Sequence, residues 1–310
     1  MAKARAIKGI EWNGPAADGI RRVLIQRLDE MCSFREAALD WKDPEGVHSM
    51  RVASRRLRSA LRDFMPYIQK RGLGSTLKQI RSIADALGEV RDQDVAIMAL
   101  HNLASKATPE IANALQDLLE SRKEIRRQAR NQLESKLADG QIKLLSDDFS
   151  KAVAKATQSS DKQSVVSYRR MAREVIRDRL KDFEKLSDSL YTPFESEPLH
   201  EMRIAGKRLR YAIELFAEGW DRKILNFAKR AARLQSTLGE VHDCDIWIQS
   251  FGTQIVKAKK AKQKEGIDAF TWILCHFMGT RTRNLQKSFT LWKLWDSNDT
   301  SNELRALIKS

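Results

Sequence analysis

The sequence predicts an all-α fold: two tandem four-helix bundles related by internal pseudo-twofold symmetry. Three observations carry this prediction: few helix-breaking residues, apolar residues at helical spacing, and a long internal repeat. Gly (14) and Pro (6) are scarce in 310 residues. Long segments are rich in Ala, Leu, Arg, Glu and Lys, which suit helix interiors. An apolar content of 42% is enough for two domains or one duplicated one.

The repeat is read directly from the chain. His48-Ser-Met-Arg51-Val-Ala-Ser-Arg55-Arg56-Leu-Arg58 returns 152 residues later as His200-Glu-Met-Arg203-Ile-Ala-Gly-Lys207-Arg208-Leu-Arg210. Leu87-Gly-Glu89-Val-Arg-Asp92-Gln-Asp94 returns 151 residues later as Leu238-Gly-Glu240-Val-His-Asp243-Cys-Asp245. Upstream, Arg21, Val23, Leu24, Arg27 and Leu28 match Arg173, Val175, Ile176, Arg179 and Leu180, again 152 residues apart. Three blocks in one order mark a tandem duplication, with repeats expected over residues 17–154 and 165–296.

Each repeat reads as four main helices. In the first they are expected at 17–39, 45–67, 75–103 and 108–137. Ile20, Val23, Leu24, Leu28 and Met31 give the first its apolar stripe. Asp43-Pro44 marks a turn before the second, Gly88 is a weak point in the third, and Thr108-Pro109-Glu110 opens the fourth with Pro at the first helical position. A polar stretch at 155–164 reads as the linker, and Pro193 and Pro198 are expected to precede the second helix of the second repeat.

Charge defines the class of partner. Lys and Arg number 56 against 41 Asp and Glu, a formal net charge of +15, with a pI near 9.8. That excess calls for an acidic ligand. Cys32, Cys244 and Cys275 are odd in number and lack Cys-x-x-Cys spacing, so they read as free thiols in a reducing compartment. The basic N-terminus is not followed by an apolar signal core, and the longest apolar stretch, 269–278, is too short to span a bilayer. A cytoplasmic protein without membrane association is expected.

The second helix of each repeat concentrates the cations. At about 100° per residue, Met50, Ala53, Leu57, Ala60, Leu61 and Phe64 share one face, and His48, Arg51, Arg55, Arg58 and Arg62 the opposite one. The second repeat sets Met202, Ala205, Leu209, Ala212, Ile213 and Phe216 against His200, Arg203, Lys207 and Arg210, with Glu214 where Arg62 would be. Solvated faces normally mix signs; a stripe of like charges at i,i+4 costs helix stability, so its repetition argues for an anionic ligand. Arg27 and Arg179 sit inside apolar stripes, where each must pair with an acid such as Asp92 or Asp243, or face a ligand. Glu89, Asp92, Asp94, Glu240, Asp243 and Asp245 are read as acids that orient neighbouring arginines rather than as catalytic groups.

Enzymatic motifs fail their tests. Gly72-Leu-Gly74-Ser-Thr-Leu-Lys78 lacks the Gly-Lys-Ser/Thr ending of a phosphate loop. His200-Glu201 has Ile204 where a zinc motif needs its second histidine. There is no Gly-x-Ser-x-Gly and no dinucleotide fingerprint. No catalytic residue, metal or cofactor is expected.

The paired His-x-x-Arg-Val/Ile-Ala-x-Arg/Lys-Arg-Leu-Arg and Leu-Gly-Glu-Val-x-Asp-x-Asp blocks resemble the CHAD family, the conserved histidine α-helical domain, over residues 19–295. The resemblance implies two four-helix bundles that bind inorganic polyphosphate, and by extension polyphosphate granules, along basic helix surfaces and a central basic cavity. Carried over by motif, it points to His48, Arg51, Arg55, Arg56 and Arg58 with His200, Arg203, Lys207, Arg208 and Arg210. Lys78 and Lys229 match between the repeats and join them, while Arg126 and Arg281 on the fourth helices align loosely. Glu214 in place of Arg62 implies that the first repeat carries more of the site. Some CHAD proteins add a triphosphate-tunnel domain with a Glu-x-Glu-x-Lys motif; here Glu195-Ser-Glu197 runs into Pro198-Leu199, so a stand-alone protein is expected. Nucleic acid is the alternative partner, since phosphodiester backbones answer the same electrostatics. The basic faces hold almost no aromatic residues for base stacking, which favours a ligand that is phosphate throughout. A phosphate-transferring enzyme comes third, resting on the Asp blocks alone.

Overall fold

The computed structural model describes residues 4–158, 166–262 and 264–309. Among the described residues the secondary structure is helical apart from an isolated bridge between Pro15 and Ser167, as expected from the scarcity of Gly and Pro. In chain order they are α1 (Ala16–Cys32), α2 (Arg35–Leu39), α3 (Pro44–Phe64), α4 (Gly74–Ala104), α5 (Pro109–Lys136), α6 (Asp139–Ala156), α7 (Tyr168–Lys185), α8 (Ser196–Phe216), α9 (Ile224–Lys260), α10 (Lys264–Ser297) and α11 (Thr300–Lys309). None is long and apolar enough, among the described residues, to cross a membrane. Two compact units emerge: Met1–Asn102 with Asp117–Met171, and Leu103–Gln116 with Ala172–Ser310.

In the first unit the predicted stripes form the core. Ile20, Val23, Leu24, Leu28 and Met31 of α1 are buried together with Met50, Ala53, Leu57, Ala60, Leu61 and Phe64 of α3, and the two helices pack on each other. The start of α3 follows from its sequence. Pro44 occupies the first turn, and the Asp43 carboxylate accepts from Glu45 N at 2.8 Å as the N-cap. Gly46 is required two residues later, because a Cβ there would lie 1.8 Å from the Ala37 carbonyl oxygen. That close approach seats α2 against α3.

The expected helix 17–39 is two helices. Ser33 interrupts it: its hydroxyl donates to the Glu30 carbonyl at 2.9 Å, the acceptor that Phe34 N would use in a continuing α-helix. Phe34 N turns instead to Met31 O at 3.3 Å, and the chain restarts at Arg35. Serine competing for a backbone carbonyl is a local effect that apolar periodicity does not register.

Two helices went unpredicted. α6 buries Ile142, Leu145, Phe149, Val153 and Ala156 and packs on α1. α11 lies beyond the expected boundary at 296 and buries Thr300, Leu304 and Ile308. They close their units in the same way. The Ala156 carbonyl accepts from Gln69 N at 3.0 Å, and the Ile308 carbonyl accepts from Trp220 Nε1 at 3.3 Å. Ala156 and Ile308 are 152 residues apart, and Gln69 and Trp220 151, the spacings of the repeat blocks.

The second unit repeats the core pattern. Met202, Ala205, Leu209, Ala212, Ile213 and Phe216 of α8 are buried, and α9 packs along both α8 and α10. Phe183 meets Trp292 and Trp295 edge to face at 5.6 and 5.5 Å. Pro198 lies within the first turn of α8 rather than before it, where its missing N–H costs no helix bond. Most of the expected linker, 155–164, lies outside the described residues.

Candidate functional site

α3 carries its cations opposite the buried stripe. His48, Arg51, Arg55 and Arg58 are half-buried and Arg62 is exposed. Arg51 reaches across to α4, where its Nη2 lies 2.9 Å from Asp92 Oδ1. Its path crosses Gly88, whose absent Cβ would come within 3.9 Å of the guanidinium. The glycine read as a weak point is therefore where an arginine passes over α4. Arg58 Nη1 lies 3.9 Å from Asp85, two helical turns before Asp92. Burial, then the Arg91 charge, lowers the pKa of His48 from its ordinary value, so near neutral pH it offers an uncharged imidazole.

α5 supplies a second row. Arg126 Nε meets Asp94 Oδ1 at 2.5 Å. Arg122 donates to Gln93 Oε1 at 3.3 Å. Arg130 donates to the Trp41 carbonyl at 3.0 Å and stands 4.9 Å over the Trp41 ring. Burial, then Arg126, pulls the Arg130 guanidinium below its ordinary range. The sequence reading named Arg126 alone; its i±4 spacing to Arg122 and Arg130 was the signal that could have found the row.

In the second unit, Arg203 crosses Gly239 as Arg51 crosses Gly88, with the absent Cβ 3.4 Å from its Nε. His200 lies against His242, ring centroids 3.9 Å apart. Burial, then the other imidazole, lowers the pKa of His200; burial, then Arg203, lowers that of His242. Arg281 meets Asp245 Oδ1 at 2.5 Å and donates to the Pro193 carbonyl at 2.7 Å. Arg126–Asp94 and Arg281–Asp245 are thus counterparts, which gives the loosely aligned fourth helices a common register. Pro193 is 152 residues from Trp41, so Arg281 does alone what Arg126 and Arg130 share in the first unit. His242 and Arg91 were missed although both stand within the quoted Leu-Gly-Glu-Val blocks.

Several sequence expectations need correction. Arg27 is buried, and its acid is Glu30 rather than Asp92: Nη1 pairs with Glu30 Oε2 at 2.5 Å and donates to the Arg5 carbonyl at 3.0 Å. The equally buried Glu30 also accepts from Arg5 N at 3.0 Å and lies 3.5 Å from Arg56. Arg56 thus faces inward, on the flank of α3 away from Arg51. Arg179 pairs with Asp182 at 2.9 Å, one turn along α7. Arg210 was placed on the open face but is 5% exposed, 3.6 Å from Glu214 and 4.7 Å over the Tyr211 ring. Its neighbour at i+4 is an acid where the first repeat has Arg62, and the aromatic ring at i+1 completes a pocket for the guanidinium.

The remaining residues fall on the same helices. Lys78 and Lys229 are exposed near the starts of α4 and α9; Lys207 and Arg208 are half-buried on α8. Asp92, Asp94 and Asp245 each hold an arginine, as the orienting role requires. Glu89 and Asp243 are exposed. Burial, then Asp243, raises the Glu240 carboxyl, opposed by Lys287.

Each unit presents a basic helix face beside arginines that meet acids on a neighbouring helix. The family model for the CHAD domain matches residues 22–251, and the chain belongs to the CHAD domain family. Two curated proteins of Mycobacterium tuberculosis are similar. "Uncharacterized protein Rv2226" of strain ATCC 25618 / H37Rv is 25% identical over 275 residues, 84% of this chain and 50% of that protein. "Uncharacterized protein MT2285" of strain CDC 1551 / Oshkosh is 24% identical over the same shares. The chain therefore spans about half the length of these relatives. Among solved structures, the CHAD domain from the plant Ricinus communis superposes with a TM-score of 0.72 at 21% identity, covering 94% of this chain and 96% of that one. PptA from Streptomyces chartreusis superposes at 0.66 and 15% identity, covering 90% and 100%. These likenesses show the fold.

Proposed function

We propose that the protein binds inorganic polyphosphate without consuming it, the repeats 17–154 and 165–296 together forming one binding domain. One observation carries the reading: an arginine of each repeat, Arg51 or Arg203, lies across the motif glycine of the following helix. Aimed guanidiniums on a stripe of like charge are pre-organised for a chain of phosphates and are costly without one. The cations of this reading are Arg51, Arg55, Arg58, Arg62, Lys78, Arg126, Arg203, Lys207, Arg208, Lys229 and Arg281, with His48 and His200 as imidazole donors; the inward-facing Arg27 and Arg56, the buried Arg210 and Arg179, paired with Asp182, fall outside it. Family membership adds the polyphosphate chemistry that the CHAD resemblance implies. A cytoplasmic setting, where polyphosphate and its granules are met, belongs to the same reading.

The test is a competition at equal phosphate: labelled polyphosphate against unlabelled polyphosphate, single-stranded DNA and RNA. Polyphosphate should compete best, and no orthophosphate should be released during incubation with magnesium. Stronger competition by DNA or RNA would replace this reading with nucleic-acid binding.

A further inference from the structure

A cleft of about 630 Å³ opens in the second unit at the start of α8, walled by Phe194, His200, His242, Ile246 and Met278. That volume suits a small molecule. Its rim holds large apolar side chains in water: Phe194 is 93% exposed, Ile246 54% and Met278 52%. Arg281 fixes the rim, because its bond to the Pro193 carbonyl holds the residue next to Phe194.

The repeat itself supplies a comparison. In the register of each block, Phe194 corresponds to Lys42, His242 to Arg91 and Met278 to Lys123. Three cations of the first repeat have become an aromatic ring, an imidazole and a thioether in the second. Arg281 lines the cleft, and Arg203 and Lys207 stand one and two turns beyond His200 on α8, where both lower its pKa. Two acids share the walls, Glu197 and Asp245; Arg281 neutralises Asp245. A ligand made only of phosphate gains nothing from the apolar Phe194 and Met278. A ligand with an aromatic ring beside its phosphates gains from both ends of the cleft.

We propose that this cleft binds a free nucleoside phosphate. The base lies against Phe194, Met278 and the paired imidazoles, and the phosphates extend toward Arg203 and Lys207. Glu197 repels phosphate from the opposite end and accepts from an exocyclic amine of the base. The inference rests on the polyphosphate reading only for the α8 cations, since the base end of the cleft owes nothing to it.

The full chain is titrated at moderate salt with adenosine triphosphate, tripolyphosphate, long-chain polyphosphate and a short single-stranded RNA. Adenosine triphosphate should bind more tightly than tripolyphosphate. Phe194→Ala should weaken adenosine triphosphate by about tenfold, within the range for one lost base stack, and leave tripolyphosphate and polyphosphate unchanged. Phe194→Tyr should restore the affinity. Equal binding of adenosine triphosphate and tripolyphosphate, or an equal loss for both in Phe194→Ala, would overturn the proposal. So would RNA that outcompetes adenosine triphosphate per base, which assigns the cleft to a polymer. If adenosine triphosphate binds through Phe194 while long-chain polyphosphate does not bind, this proposal stands and the polyphosphate reading falls.

Discussion

Arg210 and Glu214 form an i,i+4 pair on α8, 3.6 Å apart, that draws the arginine out of water. The side chain of its first-repeat counterpart, Arg58, keeps 36% exposure. One acid therefore removes one cation from the second basic face. Glu214→Gln should release Arg210 and raise polyphosphate affinity about two- to fivefold, the scale of one ion pair whose acid stays partly in water. The plot of log affinity against log salt should steepen by about 0.7 if a phosphate contact is gained. Titrations at several salt concentrations measure both.

Changing Arg51, Arg55 and Arg58 together to Gln removes three cations from α3 but leaves its apolar stripe intact. Binding should fall steeply, and the salt slope should become shallower by about 0.7 per lost contact. The melting temperature should hold, because the Arg51–Asp92 pair is largely solvent-screened on its acidic side and like-charge repulsion is relieved. Arg203 and Lys207 changed to Gln should cost less affinity than the first-repeat triple. Leu57→Ala or Leu209→Ala should do the reverse, each costing about 2–5 kcal/mol of stability, since both side chains are fully buried.

Protonation should oppose folding and favour binding. His200 and His242 have pKa values below their ordinary 6.5, held there by burial and by Arg203 and Lys207, with His242 adding to the effect on His200, and with Glu197 opposing for both and Asp245 for His242. The unfolded chain takes up these protons first, so stability is present above about pH 6.5 and declines as pH falls toward the lower folded values. Thermal melts from pH 7.5 to 5 should show the decline, and His242→Gln should flatten it. Bound phosphate favours the charged imidazoles, so polyphosphate affinity should rise over the same range with proton uptake. Calorimetry in two buffers of different ionisation heat would detect that uptake; a pH-independent affinity would count against a role for these histidines in binding.

Glu30 should prove structural. It is buried against Arg27, Arg56 and Arg5 N. Glu30→Ala leaves buried arginines without their carboxylate and should cost about 3–5 kcal/mol. At temperatures where the variant stays folded, its salt slope for polyphosphate should match that of the unaltered protein.

The chain revealed its helices more readily than its ion pairs. The stripes of α1, α3 and α8 follow from periodicity, because burial of one helix face is a local pattern. Which acid holds which arginine depends on how neighbouring helices approach. Asp92 was named both as an orienting acid and as a partner for Arg27, and only packing separates the roles: Arg51 reaches it over Gly88, whereas Arg27 turns to Glu30 one turn along its own helix. The break at Ser33 depends on one side-chain hydrogen bond. α6 was legible in Ile142, Leu145, Phe149, Val153 and Ala156, but no quoted repeat block covers it.

The two closing helices bear on how the gene was copied. Gln69 and Trp220 occupy matching places yet donate differently, one through its backbone and the other through an indole nitrogen, to carbonyls at matching positions. The contact has survived replacement of its donor. Read as a duplication, the repeated segment ends in its closing helix, and what the two copies share there is an acceptor's address rather than a residue. A fragment cut at 296 would discard the end of that ancestral unit and leave the Trp220 indole without its carbonyl.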